Sequence, residues 1–261
     1  MKAIVLAGGY AKRMWPLTKN RPKHLLPVAG RPMLDYVMKN LGRASEIDEI
    51  YLSTNMKFRS RFQKYLDGLN IKKSLHLFVE DTYSEEEKLG SVGALGFLIR
   101  ENSLNDDLLV IGGDNIFSFE MSDFIGYFYS KGANTIALYD VKSKEKARLY
   151  GVVQVDKEKR IIDFQEKPKN PKSTLVSTAC YAFTKRGVRG VLRYIDEGND
   201  PDKMGRFIEW LYKHDAVYGY VFTGVWFDIG SFESYKAADK YFSRLKSNIE
   251  NIDFSRRRKR V

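Results

Sequence analysis

Seven lysines or arginines fall between Met1 and Leu34 (Lys2, Lys12, Arg13, Lys19, Arg21, Lys23, Arg31), and the first carboxylate of the chain is Asp35. A one-signed cluster repels itself, so a stretch of this kind points to an anionic partner. It opens with "AIVLAGG", an apolar run that stops at Gly8 and Gly9. Glycines let the backbone turn tightly and approach a ligand, and successive N–H groups can form a concavity for an anion. Arg13 adds a forked donor suited to phosphate oxygens, and Lys23 a compact charge suited to a second phosphate. Gly-Gly by itself is most often a plain turn. Two familiar phosphate loops are excluded: no third glycine completes G-x-G-x-x-G, and G-x-x-x-x-G-K-[ST] occurs nowhere. The three histidines (His24, His76, His214) are scattered and offer no hydrolase triad.

The elements that must hold such a loop follow from the apolar pattern. "AIVLA" (Ala3–Ala7), "EIYLS" (Glu49–Ser53), "HLFV" (His76–Val79) and "DLLVIGG" (Asp107–Gly113) read as buried strands. Met33–Leu41, Phe58–Leu69 and Val92–Arg100 have helical spacing between them, with Pro32 suited to a first turn. Strand–helix alternation predicts parallel βαβ units with right-handed crossovers, whose ligands sit beyond the carboxyl ends of the strands. The second half, "NTIALYDV", "YGVVQVD", "RIIDFQEK", "TLVSTACYAF" and "AVYGYVFTG", predicts closely spaced antiparallel additions interrupted by helices near Gly187–Glu197 and Gly205–His214. The expected class is α/β, a Rossmann-like mixed sheet, mainly parallel in its N-terminal half, with helices on both faces. A final amphipathic helix is expected over Phe232–Leu245, and the best candidate seam is Val141–Lys146.

Composition bounds the answer. The 261 residues are 43% hydrophobic and 30% charged, with sixteen Tyr and sixteen Phe, which argues for a folded chain. No apolar run reaches the ~18 residues that span a bilayer, and "KAIVLA" is too short for a signal peptide, so a cytoplasmic protein without a membrane partner is expected. Cys180 is the only cysteine, which excludes an intrachain disulfide and a cysteine zinc site. Five of the eleven net positive charges lie in "RRRKR" (Arg256–Arg260), leaving +6 for the rest. That run reads as a solvated basic tail over 246–261, with nucleic-acid binding through it the weaker alternative. Residues 1–245 read as one catalytic domain.

Residues 6–36, "LAGGYAKRMWPLTKNRPKHLLPVAGRPMLDY", closely resemble the sugar-1-phosphate nucleotidyltransferases, or nucleotide-sugar pyrophosphorylases, whose signature is L-A-G-G-x-G-T-R-L-x-P-L-T followed by P-K-x-L-x-P-V. "GSVGAL", "GGDN", "YGVV", "QEKP" and "WFDIGS" continue the likeness along nearly the whole chain, glucose-1-phosphate thymidylyltransferases being its default members. The resemblance implies a Mg²⁺-dependent reaction in which a sugar 1-phosphate attacks the α-phosphorus of a nucleoside triphosphate, releasing pyrophosphate. Because the second phosphate ionisation lies near pH ~6, the nucleophile needs no strong base. Catalysis would then come from positioning and charge neutralisation.

The same resemblance implies the site residues. Leu6, Ala7, Gly8 and Gly9 lie along base and ribose, Arg13 grips the triphosphate, and Lys23 neutralises charge at the α-phosphate. Asp114 and Asp228 hold Mg²⁺. Glu80, Gly90 and Ser91 lie near the base. Tyr150, Gly151, Glu166, Lys167, Thr178 and Trp226 form the sugar-phosphate pocket, with Lys167 also on the reacting groups. Ala11 and Lys12 stand where the family has Gly and Thr. Related thymidylyl and uridylyl enzymes carry Gln near the place of Glu80. An ionised carboxylate only accepts and could suit guanine N–H groups or a cytosine amine, so GTP and CTP stay open, while dTTP or UTP comes first by family frequency. Longer members carry a C-terminal β-helix or acyltransferase domain, and this chain, ending where the catalytic domain ends, is expected to lack that activity. A non-catalytic sensor of nucleotide-sugars is the alternative reading, and homo-oligomerisation is left open.

Overall fold

Alternation along the first strand decides the layering: Ala3 and Val5 face one side of the sheet and Ile4 the other, all three fully buried. The computed structural model describes the backbone of residues 1–258 and the side chains of residues 1–246. The chain runs β1 (Lys2–Leu6), β2 (Pro27–Val28), β3 (Arg31–Pro32), α1 (Met33–Arg43), β4 (Glu49–Asn55), α2 (Arg59–Asp67), β5 (Ser74–Glu80), α3 (Gly90–Glu101) and β6 (Leu108–Gly112). It continues through β7 (Asn115–Phe117), α4 (Met121–Lys131), β8 (Asn134–Asp140), α5 (Lys144–Ala147), β9 (Gly151–Val155), β10 (Ile161–Glu166) and β11 (Leu175–Phe183). Last come α6 (Lys185–Asp196), α7 (Met204–His214), β12 (Val217–Val221), β13 (Trp226–Asp228) and α8 (Phe232–Arg258).

Strands β6, β1, β4 and β5 are neighbours in that order and parallel, as the βαβ pattern requires. Their register levels the carboxyl ends, with Leu6 opposite both Ser53 and Gly112. Antiparallel β11 joins β6, β9 and β8, and β9 carries β10. One expected antiparallel strand is not: β12 pairs with β8 in parallel, because α6 and α7 return the chain to the same end. Helices α1, α2 and α4 bury Val37, Phe62 and Phe124 on one face; α3, α6 and α7 bury Leu95, Val191 and Phe207 on the other. The architecture is the mixed α/β sheet the sequence predicts.

Helix α4, the single turn α5 and the short strands β2, β3, β7 and β13 went unforeseen. Helix α4 covers the first face, and β7 and β13 form a two-stranded ribbon beyond the main sheet. The proposed seam at Val141–Lys146 contains only the single turn α5, and β8 and β11 on either side of it are paired through Asp140 and Leu175. Helix α8 begins where expected, anchored by the Tyr235 hydroxyl on Pro27 O at 2.6 Å and by Asp239 accepting from Ala29 N–H at 2.8 Å. It continues past Leu245 to Arg258, and the basic side chains of Arg256–Arg260 lie outside the described residues.

Candidate active site

The loop after β1 is fixed from three directions. Ala7 N–H donates to Ser53 O at 2.9 Å, Asn55 Nδ2 donates to Gly8 O at 2.7 Å, and Gly113 N–H donates to Leu6 O at 3.0 Å. Ala11 takes the left-handed conformation (φ 49°, ψ 44°), a geometry glycine adopts freely and alanine at a cost, and the Thr18 hydroxyl holds its carbonyl at 2.8 Å. The turn over Lys12–Met14 then presents Arg13, exposed, to the cleft. Lys12 instead reaches Glu86 at 2.7 Å, bridging the loop to the 81–89 segment.

Beyond these ends lies a cleft of about 650 Å³. It brings together Leu6, Gly8, Gly9, Arg13, Lys23, Glu80, Gly90, Ser91, Asp114, Tyr150, Gly151, Glu166, Lys167, Trp226 and Asp228, from loops far apart in sequence. Two expected residues are absent from its wall. Ala7 is 1% exposed and turns into the core. Thr178 is equally buried, and its hydroxyl donates to Ala137 O at 2.8 Å on β8. Its neighbours Ser177 and Ala179 take the wall instead, since strand residues alternate faces. A second concavity, about 460 Å³ at the free edge of β5, contains none of the expected residues.

Asp114 follows β6, and Asp228 ends β13 opposite Asn115 in the ribbon. Ile229 N–H donates to Asp114 O at 3.0 Å, which ties the two acidic segments together. Asn115, 2% exposed, donates to Asp114 Oδ1 at 2.9 Å and accepts from Trp226 Nε1 at 2.8 Å. Asn115, the first residue of β7, thereby sets both the acid and the ring. Lys23 Nζ forms a short ion pair with Asp114 Oδ2. Burial, the largest single effect, would raise the Asp114 carboxyl, but the Lys23 charge, His24 and the hydrogen bonds from Lys23 and Asn115 together hold it below its usual range. Asp228 goes the other way, pushed up to about 6 by burial and by the charge of Asp114. His24, 2% exposed beside this pair, is pushed down to about 3 by burial and then by Lys23, so it is neutral. Two carboxylates on tied segments, one of them paired with Lys23, form a donor set that suits Mg²⁺, which takes one or two protein carboxylates and completes its shell with phosphates and water. Among the described residues no group of three or more His, Cys, Asp or Glu could form a closed metal cage.

At the other flank Glu166 ends β10 opposite Gly151. Burial raises its carboxyl despite the opposing charges of Lys167, Lys203 and Arg206. Lys167 has a left-handed backbone (φ 47°) with its N–H on Tyr150 O at 3.1 Å, and its side chain is exposed. The Tyr150 and Trp226 rings pack at 4.9 Å to wall this flank. The start of α7 closes it: a Cβ on Gly205 would collide with the Glu166 carboxylate. Lys203, Met204 and Gly205 were missed from sequence, where "PDKMG" carries no motif. Ser91, at the start of α3, donates through both N–H and hydroxyl to Asp202 O at 2.9 Å, so the two helix starts are stitched together.

A family model described as "Nucleotidyl transferase" matches residues 2–244. Among curated relatives, one from Sulfolobus acidocaldarius, provisionally named mannose-1-phosphate guanyltransferase, is 35% identical over 88% of this chain and 60% of its own length. Bifunctional protein GlmU from Methanocaldococcus jannaschii is 31% identical over 96% of this chain and 56% of its own length. The chain thus spans little more than half of the curated relatives it matches. Among solved structures, one from Bacillus anthracis, provisionally named glucose-1-phosphate thymidylyltransferase, superposes with a TM-score of 0.80 at 28% identity, covering 93% of this chain and 95% of its own. A UDP-glucose pyrophosphorylase bound to UDP-glucose has a TM-score of 0.78 at 20% identity, over 93% and 98% of the two chains, and shows the fold.

Proposed function

Because the chain belongs to the nucleotidyl transferase family, we propose that it joins a nucleoside triphosphate to a sugar 1-phosphate, giving a nucleotide-sugar and pyrophosphate. The observation that carries this reading is the meeting of Arg13, Lys23, Asp114, Glu166, Lys167 and Asp228 in one cleft. Two polyanions must be held together there against their repulsion, and the cations supply the opposing field. A phosphate oxygen of the sugar 1-phosphate bonds to the α-phosphorus as the bond from that phosphorus to the pyrophosphate oxygen breaks. No proton need move.

Arg13 is assigned to the triphosphate and Lys23 to the α-phosphate, where it would trade part of its contact with Asp114 for substrate oxygen. Lys167 is assigned to the sugar's phosphate and Glu166 to two of its hydroxyls, between the Tyr150 and Trp226 rings. Asp114 and Asp228 would hold Mg²⁺, which when bound supplies bridging and charge neutralisation at the phosphates. Among the described residues no helix is long and apolar enough to cross a membrane. Phosphorylated substrates and a single buried thiol fit a cytoplasmic setting.

The test is a grid of nucleoside triphosphates against sugar 1-phosphates with Mg²⁺, read as pyrophosphate release. Release that needs both substrates is the expected result. Nucleotide-sugar binding with no release from any pair would select the sensing alternative.

A further inference from the structure

Strand β5 ends the sheet with one side unclaimed. It pairs with β4 and stands last in the strand order. Ser74 N–H donates across to Asp48 O at 3.3 Å, so by the alternation of a parallel ladder the backbone groups of Ser74, His76 and Phe78 face β4. Those of Leu75, Leu77 and Val79 face outward, and their N–H groups have no hydrogen-bond partner among the described residues. A row of free donors and acceptors is a template for another strand, and proteins usually blunt it with Pro, Lys, a bulge or a cover. Here "SLHLFVE" runs seven residues with no Pro, no Lys and an unbroken register against β4. A concavity of about 460 Å³, lined by Leu66 and Asp67 of α2 and by Asn102 after α3, leaves the strand reachable from the side.

The residues on that edge say what fits it. Two cations, Lys72 and Lys73, precede the strand, and an acid, Asp81, follows it. Lys73 is anchored on Ala44 O and Ile47 O at 2.7 and 2.6 Å, whereas Lys72 and Asp81 are exposed. A strand of that polarity is complementary to itself run backwards. Centred on Leu77, antiparallel pairing of two copies sets Leu77 against Leu77, Leu75 against Val79, and His76 against Phe78. One face then matches half-buried aliphatic groups. The other matches rings already held in place, with Tyr51 stacked on His76 at 4.6 Å and Phe97 edge-on to Phe78 at 5.2 Å. Cross-strand apolar and aromatic pairs of this kind stabilise a sheet. The same register brings Lys72 and Lys73 of one copy beside Asp81 of the other, and does so twice.

We propose that the free edge of β5 is a self-association surface, on which a second copy of this chain adds its own β5 in antiparallel register about a two-fold axis at Leu77. The outward groups of Leu75, Leu77 and Val79 then meet those of Val79, Leu77 and Leu75 in the mate, each pair exchanging two backbone hydrogen bonds. A two-fold axis normal to the sheet keeps each face continuous, so residues that alternate to the same side must be paired. The register centred on Leu77 meets that condition. Because the strands run in opposite directions, the two clefts open at opposite ends of the pair, and each stays complete within its own copy. Self-association of this kind does not depend on the chemistry of the cleft.

Sedimentation equilibrium of the intact protein over a dilution series tests it. A reversible dimer of twice the 30.2 kDa chain mass is expected. Leu77→Pro removes the donor at the axis from a strand position whose N–H faces solvent, where proline is tolerated, and should raise the dissociation constant about tenfold or more. Lys72→Asp or Asp81→Lys alone should weaken the dimer by a similar factor, because each turns two attractions into repulsions. The two changes together should restore it, and high salt should shrink all three effects. Leu77→Cys should close a disulfide across the axis under mild oxidant, since paired α-carbons ~5.5 Å apart lie within bridging range, while Ser74→Cys should not. The native Cys180 is buried and does not compete. A monomer at every concentration would overturn the proposal, whether or not its edge takes up an unrelated extended peptide. So would a dimer unmoved by Leu77→Pro and by both charge reversals, or one that position 77 cannot cross-link. If circular dichroism shows Leu77→Pro unfolded, the charge reversals and their mutual rescue decide.

Discussion

Asp228 holds its proton more tightly folded than unfolded, since burial and the neighbouring Asp114 charge lift it to about 6. For a carboxyl with a raised folded value, the associated stability is complete below the unfolded pKa of ~4 and is lost as pH rises through the folded one. Asp228→Asn should therefore stabilise the protein by about 1–3 kcal/mol at pH 8 and by almost nothing near pH 4. Paired thermal melts at the two pH values check this, and equal gains at both would mean that the charge of Asp228 is not opposed in the fold. The same variant should lose on the order of 10²-fold in turnover, because stability and phosphate chemistry make opposite demands on that carboxylate. Lys23→Ala separates binding from chemistry. With its ammonium gone, Asp114 repels both Asp228 and incoming phosphate, so kcat should fall by about 10²-fold or more with a smaller change in substrate KM. A large KM effect at unchanged kcat would move Lys23 from the reacting centre to general binding. Lys167, exposed beside Glu166, should show the reverse split in Lys167→Ala, a raised KM for sugar 1-phosphate.

At the scale of elements, helix α7 and strand β10 meet where a side chain at Gly205 would displace the Glu166 carboxylate. Gly205 lies against the Glu166 carboxylate, and the methyl group of Gly205→Ala would push either the helix start or the acid out of place. On the proposed assignment the nucleotide is held by the β1 loop, so its binding should persist. Sugar 1-phosphate KM should rise about tenfold or more, a hydrogen-bonded contact being lost; calorimetry with nucleotide and kinetics with sugar phosphate separate the two. Parallel damage to both would show that the flanks are not independent. This contact was invisible in the sequence because Gly205 and Glu166 belong to segments with no shared pattern. The glycine loop was legible for the opposite reason: its cations, glycines and strand are consecutive, so local spacing carried the geometry. Thr178 marks the boundary between these cases. The sequence brought β11 to the cleft correctly, but alternation puts Ser177, Ala179 and Tyr181 on the cleft side and Thr178 on the core side, and which of the two sets faces the cleft is decided by strand pairing that the local pattern does not show.

Across the whole molecule, the parallel half and the antiparallel half share one nine-stranded sheet, in which β11 pairs with β6 on one side and with β8 and β9 on others. Parallel order was readable because strands alternated with helices. The parallel docking of β12 was not, since two consecutive helices precede it and the return direction is fixed only by packing. The missed helix α4 fills the face beneath β8 with Phe124 and Phe128. A sheet buried on both faces cannot lose one layer without exposing the other, so both halves should unfold together even though the chain has a polar stretch at 141–146. Tryptophans report on each layer. Trp210 packs against the cluster of α3, α6 and α7, and Trp226 against the opposite cluster and the cleft. With each left as the only tryptophan, urea unfolding followed by fluorescence should give one midpoint, matching far-ultraviolet circular dichroism. Two separated midpoints would show that the two packed faces of the sheet come apart independently. Adding substrate sharpens the comparison. A ligand that bridges the β1 loop and the β10 end must raise both midpoints equally if the sheet is cooperative. A shift in the Trp226 midpoint alone would show that the cleft can open while the α6–α7 layer stays folded.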